Sequence, residues 1–317
     1  MAHPTRPTPP RKVVTRLVDG GICAYDLDAG DVGVLSPTAT WRPSPGDDVV
    51  EYAVSADLQR ACYTTLDAAV CLTADGVEIW RSQFEPRSGH KMGHRPGCVL
   101  SLDGSTVWVY RPDVMAGRDR PDQWAALDAG TGAVIAQADL RTVGHGGEQL
   151  PHPTDDHVLL DVGEGQDGSV VYRASLVEGR MELVRYPWDD RCLIGLSPDG
   201  SHFMTVAHDQ TDVALHTYPD GEVTFALSVD AFGHDPDEIY VEWSGGYLSA
   251  DTVVVSLMGE TEDEQEWSRH YTVDVHSGRI HGQFDARTDN PYDIRPLGDR
   301  SWLTTDTSGH PIRWTGA

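Results

Sequence analysis

The sequence predicts an all-β chain folded as a single β-propeller of four-stranded antiparallel blades, seven in number, or six if the terminal strands share one blade. Three observations carry this expectation. Short alternating runs of apolar and polar residues recur between clusters of Gly, Asp, Pro and Ser, and long helical periodicity is absent. Related turns repeat along the chain: "DLDAG" ends at Gly30, "LTADG" at Gly76, "DAGTG" at Gly132, "SLVEG" at Gly179, "TYPDG" at Gly221, "DVHSG" at Gly278, and a truncated "RWTG" at Gly316. Their spacing of about 40–57 residues is the period of a four-stranded blade, and 317 residues supply seven blades of about 45.

The elements follow in order. Residues 1–11 lack the apolar stretch of a secretory signal and read as a flexible tail, with the propeller over 12–317. Residues 13–38 give three strands. Residues 49–84, 96–140, 148–187, 191–229 and 239–284 give about four each, and 291–316 give three. Two incomplete terminal blades imply that the ends meet and close the ring, because an open propeller leaves sheet edges exposed. "DAGTG" has the glycines of a phosphate loop, but a phosphate loop needs a helix directly after it. The following "AVIAQADL" alternates like a strand, so the stretch reads as a hairpin turn whose Asp and Gly tolerate positive φ.

Two stretches resemble the WD40 family of β-propellers. "LSPDGSHFMTVAHDQTDVALHTYPDG" (196–221) is similar to its strand–SPDG–strand–Asp–strand–Gly pattern, with one extra residue in the middle turn. "SWLTTDTSGHPIRWTG" (301–316) resembles the end of a repeat, with Asp306 at the turn aspartate and Trp314 at the tryptophan of the Trp-Asp pair. "GH" dipeptides at His94, His145 and His234 stand roughly where family repeats carry theirs. The Trp-Asp pair itself is intact in no blade. The resemblance implies a divergent WD40-like propeller and no particular activity, since the fold hosts many.

Composition narrows the function classes. Lys and Arg number 24 against 50 Asp and Glu, a formal net charge of −26. Such a surface repels nucleic-acid phosphates and anionic membranes. No apolar run approaches a membrane span. The Arg-, Asp- and Gly-rich usage points to a high-GC bacterial genome, and a cytoplasmic monomer is expected. Cys23, Cys62, Cys71, Cys98 and Cys192 are irregularly spaced without a C-x-x-C pair, as buried reduced thiols would be. No motif calls for a cofactor or metal, and the GG pair in "GHGGEQLPHP" lacks the serine of a hydrolase elbow.

In a propeller the first strand of each blade lines the channel. The turns between strands one and two, and three and four, share a plain face with short turns. The longer connections share the other face, where binding groups concentrate. The blade-to-blade segments should bring Trp41, Arg42, His94, Arg95, His145, His152, Trp188, Asp190, Arg191, His234, Asp235 and Tyr292, together with His90, to the channel mouth. Two longer loops, "RPDVMAGRDRPD" (111–122) and the acidic "GETEDEQE" (259–266), should face one another across it. The expected function is a non-catalytic scaffold that binds a protein or peptide there. The alternative is a lyase, hydrolase, isomerase or small-molecule binder with histidine–carboxylate or metal chemistry at the mouth.

Overall fold

A computed structural model describes residues 12–29, 32–89, 93–188, 190–260 and 265–316, and these form seven antiparallel sheets. Blade one holds β1 (Val13–Val18), β2 (Gly21–Asp26) and β4 (Ala39–Trp41), while the short β3 (Gly33–Val34) leaves it. Blade two is β5 (Glu51–Val54), β6 (Arg60–Thr65), β7 (Ala68–Thr73) and β8 (Glu78–Gln83). Blade three is β9 (Gly97–Leu100), β10 (Thr106–Arg111), β11 (Asp122–Asp128) and β12 (Val134–Leu140). Blade four is β13 (Gly146–Pro151), β14 (Val158–Gly163), β15 (Ser169–Val177) and β16 (Arg180–Arg185). Blade five is β17 (Arg191–Leu196), β18 (His202–Ala207), β19 (Asp212–Thr217) and β20 (Val223–Ser228). Blade six is β21 (Ile239–Ser249), β22 (Thr252–Glu260), β23 (Glu266–Asp274) and β24 (Ile280–Phe284). Blade seven is β25 (Arg295–Pro296), β26 (Ser301–Thr305) and β27 (Pro311–Thr315), completed by β3.

The first strands of successive blades touch, from β1 through β5, β9, β13, β17 and β21 to β25, and so surround the axis. The core lies between blades rather than within them. Seven buried clusters each join two neighbours, including Val14, Tyr25 and Leu303 between blades one and seven. The ring is therefore closed. Its closing strand differs from the expectation of two three-stranded ends. β3 reaches out of blade one to pair with β27, Ile312 opposite Val34 and Arg313 opposite Gly33. Arg313 fastens this seam, donating to Leu27 O at 2.6 Å, Ser301 Oγ at 3.1 Å and Asp299 Oδ2 at 2.8 Å.

The repeated glycines occupy the turns into the fourth strands. Gly76, Gly132, Gly179, Gly221 and Gly278 all have φ between 69° and 76°, the left-handed region. In "DAGTG" the Asp128 carboxylate accepts from the amides of Gly130 (3.1 Å) and Thr131 (2.8 Å). Gly132 is required twice over, because a Cβ there would lie 2.7 Å from the Trp80 ring of blade two. The stretch is a blade-closing turn. The "SPDG" turn of blade five uses the same side-chain chemistry. Asp199 accepts from Ser197 Oγ at 2.6 Å and Ser201 N at 3.1 Å; partial burial pushes its carboxyl up, but these bonds hold it down at about 2.

Candidate binding face and axial channel

The loop face carries the strand-two-to-three and blade-to-blade connections. The twelve residues expected to converge there separate into three groups. Trp41, Arg42 and His152 lie at the opposite end, contrary to the expectation. Trp41 is fully buried against blade two and donates to Thr73 O at 2.9 Å. Arg42 donates to Asp19 O in the β1–β2 turn at 3.0 Å. His152 follows β13 and bonds Gly200 O at 2.9 Å, its ring 4.4 Å from Tyr218. The cause is strand boundaries: β4 runs on to Trp41, past the expected end at 38, and β13 has carried the chain to the other face by Pro151.

The second group is absorbed into the blades. His94 is buried. Trp188 stacks on Tyr186 at 4.7 Å and meets His216 edge-on at 5.2 Å. Arg191 pairs with Asp212 at 2.5 Å and donates to Thr205 Oγ1 at 2.7 Å, and Thr205 meets the buried His216 at 2.8 Å. This chain of polar groups stands in blade five, the blade most similar to a WD40 repeat. In blade seven Trp314 Nε1 donates to Thr304 Oγ1 at 2.9 Å, and Asp306 caps the β26–β27 turn.

The third group stays at the loop face. Arg95 and His145 are exposed, and the Arg95 amide bonds His145 O at 2.7 Å. Asp190 is exposed and bridges to Ser169, while Asp235 caps the turn at Asp237. His234 bonds sideways to Tyr271 OH at 2.7 Å. Tyr292 is 59% exposed and donates its hydroxyl to Glu242. His90 and residues 261–264 of the acidic loop lie outside the described residues. Among the described residues, no three His, Cys, Asp or Glu side chains are grouped to hold a metal ion.

The arginine-bearing loop after β10 is internally neutralised. Asp113, fully buried, meets Arg118 at 3.0 Å, Arg111 at 3.0 Å and Arg120 at 2.9 Å. Arg118 further bonds Asp67, Leu66 O and Pro86 O, tying the loop to blade two. These cations are structural struts.

Two features are absent from the expected list. The first is a wide bulge in β21. Val241 pairs with Leu257 and Gly245 with Val255, so Glu242, Trp243 and Ser244 face the single residue Ser256. Bulges re-aim side chains next to functional sites. This one leaves Trp243 39% exposed, its Nε1 on Ala207 O at 3.2 Å and its ring 5.7 Å from His208. Gly245 permits it: φ is 113° and a Cβ would lie 2.2 Å from Val254 O. The "WSGG" in the sequence was the available signal.

The second is an axial charge cluster on the first strands. Glu51, Glu148 and Arg295 stand on the first strands of blades two, four and seven, are accessible to water, and act on one another electrostatically with protein crowded around them. Enclosure raises the Glu51 carboxyl, with Arg95 and Arg295 opposing. Enclosure, reinforced by Asp161 and Glu51, pushes Glu148 up to about 7. Arg295 is lowered by enclosure and by Arg16, against the pull of Glu148. Asp161, buried behind Glu148, accepts from Leu193 N at 2.6 Å and from Ser169, and burial raises it to about 6. Groups poised near neutrality inside a channel can hold a polar ligand or exchange a proton.

No protein-family model and no curated protein matches the sequence. Solved structures match in shape. The structure of U3-55K superposes with a TM-score of 0.54 at 12% identity, covering 92% of this chain and 84% of that one. The dihydro-heme d1 dehydrogenase NirN, in complex with DHE, superposes with a TM-score of 0.53 at 13% identity, covering 99% of this chain and 66% of that one. At these identities the likeness is one of fold, and with the seven sheets described above it makes the chain a seven-bladed β-propeller.

Proposed function

We propose that this chain is a non-catalytic interaction module that holds a protein or peptide partner on its loop face, above blades six and seven. One observation carries the reading: the β21 bulge and the following blade linker leave two large aromatic side chains, Trp243 and Tyr292, 39% and 59% exposed on a rigid ring. Exposed Trp and Tyr on a preformed scaffold are the usual energetic anchors of an interface. His152, His234 and His216, which could otherwise serve as acid–base groups, are bonded to other blade groups. The test is capture of a specific partner from lysate of the source cell at low salt. Trp243→Ala and Tyr292→Ala should each weaken that partner by about 2 kcal/mol or more, with unchanged melting temperature. A protein that runs as an isolated monomer in lysate, with nothing co-purifying, would contradict the proposal.

A second reading, a small-molecule site in the channel, is favoured by the axial cluster of Arg16, Glu51, Glu148 and Arg295. It requires a ligand whose binding changes with the titration of Glu148 and is lost in Arg295→Ala.

A further inference from the structure

We infer that the groove between β23 and the blade six–seven linker receives a lysine or arginine side chain from a basic segment of a partner protein. This rests on the interaction reading above and specifies the chemistry of the partner. The groove is an open depression of about 310 Å³, roomy enough for one side chain rather than a whole ligand. Met258, Trp267, Pro291 and Tyr292 are its apolar lining, and the exposed Glu266 and Asp289 line it too. Ser268 Oγ donates to Asp289 O at 2.8 Å and holds the linker against the blade.

The lining chemistry selects a cation. Arg269 already lies over the Trp267 ring at 4.3 Å and takes up that π-face, so an incoming cation is left to the Tyr292 ring and the carboxylates. The exposed Tyr292 ring offers a second π-face, and cations are attracted to such faces. Its hydroxyl is fixed on Glu242, so the ring is pre-oriented. Glu242, Glu260 and Glu266 all act electrostatically on neighbouring Tyr240, which places three carboxylates around one aromatic side chain. The molecule as a whole carries −26, so an acidic segment or a second copy of this chain would meet repulsion at long range, whereas a basic segment would be steered in. The long apolar stem of lysine or arginine suits Met258 and Pro291 while its head can meet Glu266 or Asp289.

The test uses the full chain and two labelled ten-residue probes, alternating Lys–Ala and alternating Glu–Ala, titrated by fluorescence anisotropy. The Lys probe should bind and the Glu probe should not. Glu266→Gln with Asp289→Asn, and separately Tyr292→Ala, should each weaken the Lys probe at least tenfold with an unchanged melting temperature. Glu182→Gln with Asp220→Asn removes the same charge from exposed positions in blades four and five and should weaken it less than threefold. Equal weakening by both doubles would mean that only the overall field attracts the probe, and would overturn the inference. So would groove variants that bind like the unaltered chain. If a natural partner is lost by Trp243→Ala but fully retained by the Glu266–Asp289 double, this inference fails while the interaction reading stands. If no partner is captured at all, that reading fails first.

Discussion

Arg118 and Glu148 show two ways a single charge is used in this ring. Arg118 has no exposed side-chain surface and spends its guanidinium on Asp113, Asp67, Leu66 O and Pro86 O. Removing one partner of a buried pair costs about 3–5 kcal/mol, and the lower end applies because Asp113 keeps Arg111 and Arg120. Arg118→Met should therefore destabilise by about 3 kcal/mol in denaturant titration, and a loss below about 1 kcal/mol would contradict the strut. Glu148 titrates from an ordinary value of 4.5 to about 7 in the folded ring. The folded state thus binds this proton more tightly than the unfolded chain does. The stability it contributes is complete below pH 4.5 and is lost as pH rises through 7. Glu148→Gln, a mimic of the protonated form, should gain melting temperature over the unaltered protein between pH 5 and pH 8. A difference that stays constant with pH would place Glu148 outside the enclosed channel.

At the level of elements, local chemistry was legible and distant pairing was not. The positive-φ turns announced themselves because Asp, Thr and Gly settle the backbone within five residues, as Asp128 does for Gly132. Gly132→Ala should cost at least about 2 kcal/mol, from left-handed strain together with the clash against Trp80, and leave partner affinity unchanged. β3 was misplaced because a two-residue strand gains its identity only from β27, nearly the whole chain away. His152, Trp41 and Arg42 were misplaced because a strand boundary shifted by a few residues exchanges one face of the ring for the other. Glu51, Glu148 and Arg295 were missed because each is a single residue on its own blade, and only closure makes them neighbours. The β21 bulge is the element that matters most for the proposed face. Gly245→Ala forces a Cβ onto Val254 O and should both destabilise the fold and weaken partner binding, coupling that Gly132→Ala should lack.

The whole molecule is a ring whose seven cores lie at blade interfaces, so closure stabilises every blade. Arg313 joins β27 to the Leu27 carbonyl across that seam, while Asp299 of its own blade holds the guanidinium, and Arg313→Ala should raise amide exchange first in β3 and β27. The rigid ring in turn holds Trp243 on the innermost strand of blade six and Tyr292 on the linker to blade seven in fixed relation, which a flexible loop could not do. The central claim is that this face, and not the plain face, is where a partner docks. The most direct measurement is the affinity of the captured partner for the Trp243→Ala, Tyr292→Ala and Glu182→Gln–Asp220→Asn proteins, compared at equal melting temperature. Losses of about 2 kcal/mol or more are expected for the two aromatic variants and less than about 0.5 kcal/mol for the acidic double. Undiminished binding by both aromatic variants would contradict it.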